Sequence, residues 1–298
     1  MPDIVPSVDI AAEFEAQRPR LFSIAYRMLG SAAEAEDAVQ DAYLRWHGAL
    51  HEEIGAPGAW LAKVLTNLCL NRLTSARVRR EQYVGPWLPE PVRTDGGALG
   101  PLETAEQREA VSLAVLVLME RLTPAERACV VLRDAFEYGH REIAEVLDVS
   151  EASARQTYRR AKQHLAEQRP RFDSAPAPQQ HLLHGFLAAA AEGSLAKLEA
   201  LLAAEVTAWA DGGGKVRSAT RPVHGRDKVG RFLIGLLTRF TEGVDLEFAE
   251  VNGAAAVLGR EQGTLIVVAT VEGADGLITG VRILRNPEKL AFLESQLA

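Results

Sequence analysis

The sequence predicts a multidomain protein, two all-α domains followed by an α+β domain, and three observations carry that prediction. Residues 10–80 and again 104–171 repeat their apolar side chains with helical spacing and nothing else. Between them that periodicity stops at GPWLPEPVRTDGGALGP, residues 85–101, where prolines and glycines concentrate. From about Gln179 the pattern changes to two helices, then to short β-branched runs punctuated by glycine.

The first helix places Phe14, Leu21, Ile24, Ala25 and Met28 on one face and stops at Gly30. Ser31 then caps a second helix, with Glu34 three residues on to complete a capping box, ahead of Ala38, Val39, Ala42, Tyr43 and Trp46. After the loop HEEIGAPGA, residues 51–59, a third helix carries Trp60, Leu61, Val64, Leu65, Leu68 and Leu73 and ends in the basic tail Arg77, Arg79, Arg80. In the linker, Trp87 and Leu88 are large apolar groups set between prolines, and leaving each exposed forgoes roughly 1.5–3 kcal/mol. WLPEP is therefore expected to dock against another surface. In the second block Thr123-Pro124-Ala125-Glu126 starts a helix, because threonine caps and proline suits the first turn.

Composition limits the function classes. The 298 residues are 47% hydrophobic and 24% charged, enough to core two or three soluble domains. No apolar run reaches the roughly 20 residues needed to span a bilayer, and MPDIVPSVDI lacks the basic-then-apolar order of a secretory leader. The expected location is the cytoplasm. Cys69 and Cys129 stand singly within apolar helical patterns, which predicts core thiols and no zinc site.

The net charge is −7, yet Arg155, Arg159, Arg160 and Lys162 crowd into eight residues. Their neighbours explain why. Ile143, Ala144 and Leu147 face inward, Asp148-Val149 turns the chain with Val149 as a core plug, and Ser150 caps a helix whose inner face is Ala154, Tyr158, Ala161 and Leu165. Ser153, Arg155, Gln156, Arg159 and Arg160 are left outward. A solvated helix face is the plain alternative, but this is helix-turn-helix spacing with base-reading and phosphate-binding side chains on the exposed face.

These residues resemble a known family. YGHREIAEVLDVSEASARQTYRRAKQHL is similar to the promoter-binding helix-turn-helix in the fourth domain of bacterial sigma factors. AEDAVQDAYLRW and AWLAKVLTNLCLNRL resemble the second domain of extracytoplasmic-function (ECF) sigma factors. Gly139 stands where that motif usually has a Ser or Thr cap, and Asp148 where the turn usually has Gly; both residues are tolerated there. The resemblance implies that Glu36, Asp37, Gln40 and Asp41 dock on core RNA polymerase, and that Lys63, Asn67, Asn71 and Arg72 hold the melted minus-ten strand. It also implies that Ser153, Arg155, Gln156, Arg159 and Arg160 read the minus-thirty-five element, arginine suiting guanine edges or phosphates and glutamine suiting adenine. An acidic chain opposes DNA binding on its own, which fits a subunit that depends on polymerase.

The last part, helix–helix–strand pair–helix–sheet, resembles the SnoaL-like, ketosteroid-isomerase-type α+β cone with a curved mixed sheet. The whole chain thus resembles SigJ-type ECF sigma factors with a fused SnoaL-like domain. Such cones can hold a carboxylate base, and Asp211, His224, Asp227 and Asp245 are the candidates, but no spacing pairs them into an acid–base set. No catalytic residue is assigned, and the chain is not expected to be an enzyme. DGGGK, residues 211–215, does not meet the phosphate-loop pattern, since Val216 follows Lys215; it reads as a glycine-rich hairpin. His181 and His184 sit at i,i+3 without a third ligand, so neither a metal nor a cofactor is expected.

The expected organisation is a sigma-2 domain over 1–80, a linker with WLPEP over 81–103, a sigma-4 domain over 104–172, a short linker over 173–178 and a SnoaL-like regulatory domain over 179–298. The expected partners are core RNA polymerase, promoter DNA and an unknown small-molecule ligand of the C-terminal domain, with no membrane. Trp87, Leu88, Pro89, Glu90 and Pro91 together with Asp211, Gly212, Gly213, Gly214 and Lys215 are expected to form one regulatory interface, Lys215 reaching Glu90 or a nearby carboxylate. The competing expectation is a small-molecule-sensing DNA-binding regulator or enzyme fusion that acts without polymerase.

Overall fold

The computed structural model describes residues 10–97, 99, 109–166, 176–240 and 243–297. Expectations for Thr104 and for 173–175 fall outside the described residues, as do those for the side chains of Arg77 and Arg79. The helices in the first half are α1 (Ile10–Leu29), α2 (Ala32–His47), α3 (Pro57–Glu81), α4 (Leu113–Met119), α5 (Pro124–Val130), α6 (His140–Leu147) and α7 (Glu151–Ala166). Then come α8 (Pro176–Ala191), α9 (Leu195–Leu201), β1 (Leu202–Asp211), β2 (Val223–His224), α10 (Arg226–Phe240), β3 (Val244–Val251), β4 (Ala254–Glu261), β5 (Thr264–Ala274), β6 (Leu277–Leu284) and α11 (Pro287–Leu297). The chain divides into two compact units, one formed by Met1–Ala76, Ala98–Gly100 and Leu122–His164, the other by Arg77–Gly97, Pro101–Arg121 and Leu165–Ala298.

The first unit is all helical. Helix α1 buries the expected stripe of Phe14, Leu21, Ile24, Ala25 and Met28, and Ser31 Oγ accepts the Glu34 N–H at 3.1 Å to open α2. Trp46 is buried and its indole N–H donates to the Ile10 carbonyl at 2.9 Å, so its polar edge is satisfied where its rings pack. Thr123 and Glu126 form a full capping box at the start of α5, and a π-turn, Val131–Ala135, follows it. Two arginines are buried here: Arg127 Nε donates to the Arg27 carbonyl at 3.2 Å, and the Arg27 guanidinium lies 5.3 Å over the Phe136 ring. Desolvation pushes Arg27 down to about 10 and Arg127 to about 9, so both remain cations at neutral pH.

The second unit is built on one mixed six-stranded sheet in the order β2-β1-β6-β5-β4-β3, with β1 and β6 parallel and the other neighbours antiparallel. Alternation along each strand separates two cores. Ala208 and Ala210 of β1 and Val281 and Ile283 of β6 face Leu183 and Phe186 of α8, Leu198 of α9, and Val229 and Leu233 of α10. On the other face Leu258, Val268 and Leu284 meet Leu290 and Leu293 of α11, and Leu88 and Leu113 join them. The linker extends this sheet, since Arg93 forms an antiparallel bridge with Val251 and the Thr94 N–H donates to the Glu250 carbonyl at 3.1 Å.

Two local expectations need correction. Val149 is 44% exposed and no core plug: Asp148 takes the left-handed conformation at φ 58°, the Val149 N–H closes α6 on the Ala144 carbonyl, and Val146 is the buried residue. DGGGK is not a tight hairpin either. It forms a turn at the end of β1, with the Lys215 and Val216 N–H groups both bonded to the Gly212 carbonyl, and the chain returns to β1 only at Val223.

Candidate nucleic-acid interface and linker anchor

Helix α7 presents its expected face. Ser150 Oγ accepts the Ser153 N–H at 3.2 Å, which fixes the first turn, and Ala154 and Ala161 are buried. Ser153, Arg155, Gln156, Arg159 and Arg160 are all exposed. Arg155 pairs with Glu151 at 2.6 Å, an i,i+4 bond between exposed side chains that is worth little in water and exchanges readily for a phosphate. The opposite side is tied down: Tyr158 O–H donates to Asp134 at 2.7 Å and Lys162 reaches the same carboxylate at 2.9 Å. Lys162 therefore belongs to the fold rather than to the outward row.

Helices α2 and α3 bring together two sets that the sequence reading kept apart. Arg72 binds Asp41 at 2.6 Å and lies 3.9 Å from Asp37, so a residue expected on DNA is held by two expected on polymerase. Glu36 pairs with Arg18 at 2.6 Å. Asp37 and Gln40 remain exposed, as does Asn71, while Lys63 and Asn67 are half-buried on α3. Leu44, 61% exposed, continues the row Asp37, Gln40, Asp41 at i+7. The sequence reading missed it, although its spacing on the polar face was the available signal.

The third site is a buried carboxylate at the end of β1. Asp211 is wholly buried and accepts four hydrogen bonds: from Tyr83 O–H at 2.6 Å and Gly213 N–H at 3.0 Å on Oδ1, and from Leu88 N–H at 2.9 Å and Lys289 Nζ at 2.7 Å on Oδ2. Lys289 also donates to the Leu88 carbonyl and lies 4.4 Å over the Trp87 ring and 4.6 Å over Tyr83. Arg80 covers Trp87 at 4.0 Å, so two cations share one indole. Burial pushes Lys289 down to about 8 against the pull of Asp211, and burial with the Asp211 hydrogen bond raises Tyr83 well above the usual phenol range. Gly213 at φ 58° is required here, because a Cβ would lie 2.3 Å from Asn286 Nδ2.

The two odd motifs thus meet through Leu88 and Asp211, while Pro89 and Pro91 are buried beside Leu88 and Glu90 is half-buried. Lys215 reaches Glu288 at 2.9 Å rather than Glu90. Tyr83, Asn286 and Lys289 were missed, since their approach to Asp211 depends on the fold and leaves no spacing to read. The other candidates stay apart: His224 contacts Thr207, Asp227 pairs with Arg231, Asp245 is exposed on β3, and the exposed His184 stacks on Phe248. His181 is exposed as well, and among the described residues no cluster could hold a metal ion.

Comparison with known proteins decides the family. Residues 14–79 match Sigma-70 region 2 and residues 105–165 match Sigma-70, region 4. The ECF RNA polymerase sigma factor SigJ of Mycobacterium tuberculosis is 40% identical over 93% of this chain and 92% of its own. The chain is an ECF sigma factor. The crystal structure of the M. tuberculosis SigJ covers 94% of this chain and 98% of its own at 35% identity with a TM-score of 0.74, and the probable ECF sigma factor SigI of that species is 30% identical over 97% of each. This ECF sigma factor is therefore a transcription initiation factor and not an enzyme, with two sigma helical domains followed by a mixed-sheet domain. No described helix is long and apolar enough to cross a membrane.

Proposed function

We propose that this ECF sigma factor docks on core RNA polymerase through Glu36, Asp37, Gln40, Asp41 and Leu44, and holds the melted minus-ten strand with Lys63, Asn67, Asn71 and Arg72. It reads the minus-thirty-five element with Ser153, Arg155, Gln156, Arg159 and Arg160. Its site of action is the cytoplasm, where polymerase and promoter DNA are, and the SnoaL-like domain sets its activity in cis, biased by a small-molecule ligand. The observation that carries the regulatory part is the buried Asp211, which holds the linker residues Tyr83 and Leu88 by their O–H and N–H groups. A linker fixed at that carboxylate has fewer positions open to it than a free one, so releasing it shifts the population available to polymerase. The proposed boundaries are 1–80, 81–103, 104–172, 173–178 and 179–298. Purifying the chain with core polymerase and following run-off transcription tests the reading: a regulator that works without polymerase would bind an operator alone and direct no transcription.

A further inference from the structure

The inner face of the sheet encloses a cavity of about 150 Å³ between α8, α10 and strands β3 to β6. Its walls are apolar, among them Phe186, Leu236, Leu246, Ile266 and Ala269, and one charged side chain lines it, Arg285. A dry apolar cavity of this size holds roughly one six-membered ring. Arg285 follows β6 directly; its N–H donates to the Asp211 carbonyl at 2.8 Å, and its Nη1 donates to the Arg217 carbonyl at 2.8 Å. The guanidinium is half-buried, and burial holds it below the ordinary arginine range, so its charge lacks water that an anion would replace. One planar cation at the rim of an apolar chamber matches a ligand with one carboxylate and one compact apolar body.

We propose that this cavity binds a small monocarboxylate whose apolar part is about the size of a single ring, with its carboxylate on Arg285. This rests on the cis-regulatory reading above and names the class of ligand that the SnoaL-like domain takes. The ligand's anion would lie on the residue whose backbone bonds to Asp211, so the pocket and the linker anchor share the end of β1. Thr207, His224 and Asp245 offer no comparable enclosure, since His224 and Asp245 are exposed.

The test is calorimetric titration of the full chain with benzoate and with benzyl alcohol, a neutral molecule of the same shape. Benzoate should bind at least about 10-fold more tightly, the expected difference for a desolvated charge-assisted contact. Arg285→Gln should remove that preference while leaving the alcohol's affinity unchanged, Arg285→Lys should restore part of it, and Ala269→Phe should abolish both by filling the cavity. Thermal melts of each variant establish that it is folded. Equal affinities for the two molecules, a preference that survives Arg285→Gln, or no heat from folded wild-type chain at millimolar benzoate would each overturn the proposal. Because binding is read without polymerase or DNA, its failure is separate from a failure of the regulatory reading, which transcription measures.

Discussion

At the scale of single residues, the outward row of α7 and the buried Lys289 illustrate opposite uses of charge. Arg155 spends its charge on an exposed Glu151, a bond worth a few tenths of a kcal/mol, so the cost of redirecting it to DNA is small. Replacing Arg155 or Arg159 with Ala should weaken promoter binding by the holoenzyme by about 1–3 kcal/mol where the contact is bidentate to a base. Core-polymerase binding should be unchanged, and filter binding on cognate DNA beside co-elution with core separates the two. Lys289 is held at about 8, below its value in the unfolded chain. Between pH 8 and about 10 the unfolded chain therefore keeps a proton that the folded one has released, and stability should rise with pH by at most about 3 kcal/mol. Above about pH 10 the sign reverses, because Tyr83 is raised and the unfolded phenol ionises first. Denaturant melts across pH 7–11 should show the rise in wild type and lose it in Lys289→Met.

At the scale of elements, helix α2 joins an inner face that makes the core to an outer row that includes Asp37, Gln40 and Leu44. Reversing Asp41 would also strip Arg72 of its 2.6 Å partner, so a cleaner test leaves that bond alone. Asp37→Lys with Leu44→Ser should lower core-polymerase affinity at least about 10-fold, since it replaces attraction to a basic surface with repulsion and removes an apolar contact. Helicity by circular dichroism should not change; wild-type co-elution with core would remove α2 from the docking surface. The elements themselves were legible because their signals are local: the caps at Ser31, Thr123 and Ser150 and the stripes of α1 and α7 lie within a few residues of what they determine. Val149 was misread because a hydrophobic residue after a left-handed Asp148 can turn either way, and only the packing of Val146 decides it. The Arg72–Asp41 bond was illegible for another reason, as it crosses between helices 31 residues apart.

At the scale of the molecule, the linker is part of the second compact unit rather than a spacer. Leu88 and Leu113 are buried in the sheet's outer core, Val92 exchanges hydrogen bonds with Asn252, and Asn252 Nδ2 donates to the Val111 carbonyl at 2.8 Å. Deleting residues 179–298 would therefore expose these side chains as well as remove any regulation, and a change in transcription would have two causes. A subtler cut is at Asp211. Asp211→Asn keeps the shape of the carboxylate but leaves Lys289 charged and buried without its partner, a loss that typically costs about 3–5 kcal/mol. Lys289→Met removes the cation as well, and the double variant should recover part of the stability lost by the first. Trp87→Ala takes the ring from between Arg80 and Lys289 and should loosen the same segment. If the anchor controls activity, Asp211→Asn and Trp87→Ala should shift run-off transcription in the same direction. They should also change the distance between labels placed on α2 and α7, with a coupling energy of about 0.5–3 kcal/mol in the double-mutant cycle on the linker's release. Additive effects with an unchanged distance would show that the carboxylate stabilises the unit without setting the arrangement that polymerase meets.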